Sequence, residues 1–389
     1  MTQRLFLPIV LGCAASAFAQ SVPTASQSQP TSGDQIQSLA NFWTPERLAA
    51  ARPMPLPQVD PASVAVANAP SMPGASGVIA GGRPSVPPAP VEQAATERFP
   101  LNQDSGEDTA GTPSPTGFNY EMPFNNYRTG INNEYPYSTI GKLFFVIPAG
   151  ASEPAGEYVC SGAVALNNHT VVTARHCVFD YVSQKWYGSW VFYPGWNDGS
   201  NSALGGAWYV NFAYTWVGSS TASLTSGGWD IALLSMHDST GTGCGGDKGK
   251  TIGGSYTGWL GAWYGENYSQ VQFNIFGYPQ EAPFEGNYLY QDNGATGALN
   301  PNGSSGIVEV GNPQTGGTSG GPWIVGFNPN NATDPSPNNT VGTGNFNMVN
   351  GVNSFQWTNP SQPYAINGPE FEQSNFWNLY TDYQTVTCS

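Results

Sequence analysis

Three short segments concentrate the reactive side chains of this 389-residue chain. Thr173-Ala174-Arg175-His176-Cys177 sets an imidazole beside a cysteine, with Cys160-Ser161-Gly162 a short way upstream. Trp229-Asp230-Ile231-Ala232-Leu233-Leu234 puts one carboxylate at the head of an apolar run. Gly316-Gly317-Thr318-Ser319-Gly320-Gly321-Pro322 surrounds a hydroxyl with glycines, which let the backbone turn sharply. A serine hydroxyl is a weak nucleophile at its own pKa. It needs a base to accept its proton and a carboxylate to hold that base in one tautomer. His176, Asp230 and Ser319 supply that set, and its chemistry is nucleophilic acyl transfer. Taken singly, the segments also read as a strand end with a hydrogen-bonded histidine, the start of a buried strand and a glycine turn. His169 reads as a hairpin-turn residue and His237 as a strand end beside Asp238.

The order His, Asp, Ser along the chain separates this set from the subtilisin and α/β-hydrolase orders. From about Tyr120 onward the chain resembles the chymotrypsin-like (trypsin-like) serine peptidase family. The resemblance implies an all-β fold of two antiparallel barrels, about 119–240 and 250–389, with a C-terminal helix and the site between them. His176 would be general base and then general acid, Asp230 its orienting partner, and Ser319 the residue acylated. The backbone N–H groups of Gly317 and Ser319 would form the oxyanion hole, a contact of roughly 3–4 kcal/mol per donor. A Cys160–Cys177 bridge would close the histidine loop, at about 3 kcal/mol in the chain-entropy model. Cys244 and Cys388 then remain to pair with each other.

Two positions depart from the family pattern. Thr318 stands before the nucleophile where many members carry an aspartate that pairs with a freed N-terminus. Pro313 stands where trypsins carry the aspartate that binds a cationic side chain, so cleavage after Lys or Arg is disfavoured. The missing aspartate is shared with the glutamyl-endopeptidase-like branch, although Asn353 takes the place of that branch's histidine. Gln314, Thr315 and Asn353 are expected to form a polar, uncharged pocket wall, and Ser354 to flank the substrate backbone.

The elements that must position these residues are short strands. Candidates in the first barrel are 143–147, 158–166, 170–174, 189–193, 208–214 and 231–236. In the second they are 271–277, 288–291, 307–310, 323–325 and 348–355, and the tail 370–383 has helical apolar spacing. Scarce charged residues, abundant glycine and a net charge of −15 fit a turn-rich β protein, and the resemblance implies a polypeptide substrate. The same charge argues against nucleic acid or an anionic membrane as partner, and a monomer is expected. No cofactor is called for. A metal site is not expected either, because histidine is scarce and the cysteines lack paired short spacing.

Arg4, the apolar run Leu5 to Leu11 and Ala17-Phe18-Ala19 read as a secretory signal over 1–19. An alternative is the lipoprotein-type box Val10-Leu11-Gly12-Cys13, which would leave the protein anchored. Loss of Cys13 leaves four cysteines, an even number suited to an oxidising compartment. Residues 20–118 are rich in Pro, Ala, Ser and Gln and should build no core of their own. Within them, Phe42-Trp43-Thr44-Pro45-Glu46-Arg47-Leu48-Ala49-Ala50-Ala51 reads as a short helix capped by Thr44 and ended by Pro53. It is expected to dock a propeptide onto the catalytic domain through Phe42 and Trp43. Sequons at Asn168, Asn267, Asn302, Asn331 and Asn338 would mark surface loops in a secretory pathway. Two other functions fit parts of the chain: a catalytically silent binding protein on the same scaffold, and a structural protein acting through its Pro-rich segment.

Overall fold

The computed structural model describes residues 23–29, 33–64, 74–85, 122, 124–130, 132–199, 202–218, 224–238, 250–329, 346–358 and 364–386. The proposed signal, Asn331, Asn338, Cys244 and Cys388 lie outside these residues.

Six strands make the first half: Ile140–Ile147, Gly156–Val164, Thr170–Thr173, Gly188–Pro194, Trp208–Trp216 and Ala232–Met236. Aromatic and β-branched residues dominate them, which suits a pleated, half-buried surface. Their pairing runs from 208–216 through 188–194, 140–147, 156–164 and 170–173 to 232–236, which pairs back onto 208–216. The sheet is thereby closed into a barrel and loses its edges. Leu143, Phe145, Val159, Phe192 and Leu233, from both faces of its strands, are buried in one core cluster without solvent contact.

The second half is one larger sheet. Its path is Ala365–Pro369, Ile307–Gly311, Tyr290–Leu299, Gln272–Gly277, Pro322–Val325, Met348–Val352, Gly261–Tyr264 and Gly77–Ile79, and an antiparallel bridge between Phe355, just beyond Met348–Val352, and Asn367 brings that part of the path back onto its first strand. Phe124–Arg128 pairs on Tyr290–Leu299 as an added strand. Four of these strands were not expected, among them the three-residue Gly77–Ile79 of the N-terminal segment. Gly261–Tyr264 is four residues long, Ala365–Pro369 carries Gly and Pro, and Phe124–Arg128 alternates polar and aromatic side chains too weakly to declare itself. The C-terminal helix comprises a wide turn Gln373–Trp377 and the α-helix Asn378–Tyr383, entered through a capping box at Glu372. Tyr383 hydroxyl meets Thr170 Oγ1 at 2.8 Å and so braces the strand that leads to His176.

The N-terminal segment follows a mixed rule. Among its described residues, Trp43, Leu48, Ala51 and Met54 join a core already built and are buried in the cluster that includes the barrel's. Thr24–Ser28 adds a strand beside Trp208–Trp216, and Arg52–Pro53 pairs in parallel with Tyr158–Val159. The helix Pro45–Ala50 forms with Thr44 as its cap, Thr44 Oγ1 accepting from Arg47 N. Trp43 Nε1 donates to Ser189 O at 2.7 Å, while its ring meets Phe144. A second helix, Gly33–Phe42, precedes it and was not read from the sequence.

Candidate active site

His176 sits in a tight turn, Arg175–Cys177, that follows strand Thr170–Thr173. The Cys160–Cys177 disulfide ties that turn to the neighbouring strand. Asp230 lies just before strand Ala232–Met236, which pairs with Thr170–Thr173, so sheet register alone brings the two residues together. The carboxylate grips the histidine twice: Oδ1 accepts from His176 N at 2.9 Å and Oδ2 lies 2.8 Å from Nδ1. Both residues are buried. Two bonds from one rigid acid fix the ring's position and leave Nδ1 as the protonated nitrogen when the ring is neutral.

Burial by itself would push Asp230 upward, but its contacts with His176, the nearby Arg175 guanidinium and the Ser354 hydroxyl outweigh it and hold the carboxyl below its ordinary range. Ser354 Oγ donates to Asp230 Oδ2. It was expected to flank substrate; its hydroxyl instead completes the acid's hydrogen bonding. Arg175, quoted in the histidine motif but given no role, is fully buried and stacks over Tyr181 at 4.8 Å.

Ser319 lies on the turn between strands of the second half. Gly317 has φ +92° there, a left-handed conformation, and a Cβ on it would stand 2.7 Å from Tyr278 O. Its carbonyl accepts from Ser161 Oγ at 2.9 Å, and the same hydroxyl accepts from Tyr278 N at 2.9 Å. Ser161 also donates its N–H to Ser319 O at 2.7 Å, so one residue of the first barrel orients the whole nucleophile turn. The Cys-Ser-Gly sequence was the available signal for that role.

Asn353 is a hub behind the turn rather than an open pocket wall. Its Nδ2 donates to Phe276 O, Thr318 O and Thr318 Oγ1, and its Oδ1 accepts from Trp323 Nε1 at 2.8 Å. Thr318 Oγ1 donates in turn to Gln314 Oε1. An uncharged network thus stands where an aspartate would precede the nucleophile, and Asn353 and Gln314 are both buried within it. Thr315 is half-buried and bonds Glu281 O.

Ser319 Oγ and His176 Nε2 are buried and have no hydrogen-bond partner among the described residues. Gly317 N–H, by contrast, donates at 2.9 Å to the carbonyl of Met54. A cavity of about 360 Å³ lies beneath this segment, bordered by Met54, Leu56, His176, Asp180 and Tyr181. Cys160, His176 and Cys177 place ligand-type atoms within 4.8 Å of one another. The two sulfurs are bonded to each other, so they offer no thiolate to a metal.

No family model and no curated protein matches the chain. Among solved structures it is similar to a thermostable serine protease from an extremophilic microorganism, at 24% identity over 64% of this chain and 98% of that one, TM-score 0.49. It is also similar to the protease Anisep from Arthrobacter nicotinovorans, at 24% identity over 66% and 99%, TM-score 0.48. A Glu endopeptidase follows at 15% identity over 67% and 97%, TM-score 0.46.

Proposed function

We propose that this chain is a secreted serine endopeptidase that cleaves peptide bonds through an acyl-enzyme on Ser319. The observation that carries the reading is the buried His176–Asp230 pair, joined at two points, beside a glycine-flanked turn whose Ser319 carbonyl lies 3.7 Å from the sulfur of Cys177, the residue next to His176. His176 Nε2 is the nitrogen left for the Ser319 proton, because Nδ1 is engaged by Asp230. As Oγ attacks a carbonyl carbon, the imidazole becomes a cation and Asp230, kept ionised, stabilises it. The same Nε2 then returns the proton to the departing amine, and water repeats the cycle on the ester. Gly317 and Ser319 N–H groups receive the developing oxyanion. Gly317 N–H already holds a peptide carbonyl, which is the ligand chemistry such a site requires. The Asn353 and Ser354 side chains are committed elsewhere, so substrate contacts fall to Thr315 and to the Gln356 N–H once Pro57 O leaves it.

In this reading residues 1–19 direct export and 20–118 form a propeptide. The Cys160–Cys177 bridge suits an oxidising compartment. The unmade Ser319–His176 bond favours one alternative, a silent binding protein on the same scaffold. A fluorophosphonate probe on trimmed secreted protein separates the two. Label on Ser319, located by mass spectrometry and lost in Ser319→Ala, is the expected result; a folded, trimmed protein that takes no label would make it the silent scaffold.

A further inference from the structure

The segment Ala51–Val59 crosses the cleft from one half of the molecule to the other. On the barrel side, Arg52–Pro53 pairs in parallel with Tyr158–Val159 and Met54 N donates to Val159 O at 2.9 Å, while Gln280 of the second half donates Nε2 to Ala51 O at 2.8 Å. On the far side, Gln58–Val59 pairs in parallel with Gln356–Trp357, Gln356 N donating to Pro57 O and Thr358 N to Val59 O, both at 2.9 Å. Side chains alternate between these anchorages as in any extended strand. Met54 and Leu56 point inward at 5% and 4% exposure, Met54 into the barrel core and Leu56 into the core of the second sheet beside Trp323. Pro55 and Gln58 are exposed.

Three features of this crossing converge on the catalytic atoms. The Met54 carbonyl occupies the Gly317 N–H. Ser319 and His176 are 0% and 2% exposed. Residues Met54 to Gln58 border the cavity that His176 faces. We propose that Arg52–Val59 is a built-in inhibitor, a strap that covers Ser319 and spends the oxyanion donor on its own carbonyl; its inhibitory meaning rests on the peptidase reading above. Its sequence, Arg-Pro-Met-Pro-Leu-Pro-Gln-Val, suits that task. Proline at every second position fixes φ and lowers the entropy lost on docking an extended chain. The bond after the seated carbonyl is Met54–Pro55, whose nitrogen carries a ring carbon in place of hydrogen. A tertiary amide nitrogen of this kind is a poorer acceptor of the leaving-group proton in that geometry, so the strap is able to rest on the donor and resist being cut.

The test uses the full chain and its Leu56→Asp variant, which sets a charge where an apolar side chain is buried. Two readouts are taken: amide hydrogen exchange at Gly317 and Gln356, and the rate of fluorophosphonate labelling at Ser319. The inference expects both amides to be protected in the unaltered chain. In the variant that protection falls and labelling accelerates by at least about tenfold, as the covered state loses its anchor. Freely exchanging amides in the unaltered chain, a measurement that does not depend on how the variant folds, would overturn the strap, as would equal labelling rates in the two proteins. Protection that is present, and lost on substitution, with no label in either protein would support the covering contact and overturn the nucleophile assignment instead.

Discussion

The two sides of the cleft are finished by different parts of the chain. On the acid–base side every contact comes from within the folded body: Asp230 holds His176 at two points, Ser354 caps the acid, and the Cys160–Cys177 bridge ties the turn down. On the nucleophile side the turn is equally well supported from behind, by Ser161 and Asn353, yet its working donor is taken by Met54 of the N-terminal segment. The difference separates construction from access. The proton-transfer half is complete as built, whereas the half that must meet a substrate is available only when the strap leaves.

If the acid–base side is indeed complete, its substitutions should cost the most. In trimmed protein Asp230→Asn preserves the shape of the pair but favours the wrong imidazole tautomer, and kcat should fall by about 10⁴-fold. A loss below tenfold in peptide hydrolysis would separate Asp230 from the mechanism. Ser354→Ala removes one charge-assisted bond of roughly 1.5–3 kcal/mol from Asp230, so kcat should drop about 10- to 100-fold with KM little changed. A rise in KM alone would return Ser354 to the substrate-flanking role read from the sequence. Ser354→Thr, which keeps the hydroxyl, should recover part of the rate.

The smallest expected effect lies in the second sheet and concerns stability. Glu309 is buried opposite Asn367, and burial pushes its carboxyl up to about 7, against the hydrogen bonding of Asn367 and Trp357. Between its ordinary range and about 7 the unfolded chain loses that proton while the folded one keeps it. Stability contributed by the neutral acid is therefore present at low pH and lost as pH rises through that window. Glu309→Gln should flatten the decline and raise Tm by about 2–4 °C at neutral pH, with less gain at pH near 5. An equal gain at both pH values in differential scanning calorimetry would assign the effect to packing.

The sequence carried the acid–base side well because its parts are local. Strand bounds around His176 and Asp230 fell within a few residues of those observed, since short continuous apolar runs and a flanking cysteine declare a buried strand. The wiring was less legible. That Ser354 serves the acid and Asn353 the back of the nucleophile turn depends on pairings between residues more than thirty positions apart, Asn353 to Thr318 and Ser354 to Asp230, which no local pattern encodes. The N-terminal segment was legible only in part. Thr44 announced its helix and Trp43 its docking, but the polar, proline-rich run that follows reads as a linker until its alternate residues meet two edges already in place.

The central claim, a positioned nucleophile under a removable cover, is tested most directly by following phosphonylation of Ser319 in one preparation before and after the segment ahead of Tyr120 is removed by limited proteolysis. The account predicts slow labelling in the intact chain and at least about tenfold faster labelling, confined to Ser319, once the strap is released. Equal rates before and after removal would contradict the cover, and a folded, strap-free protein with an unlabelled Ser319 would contradict the nucleophile.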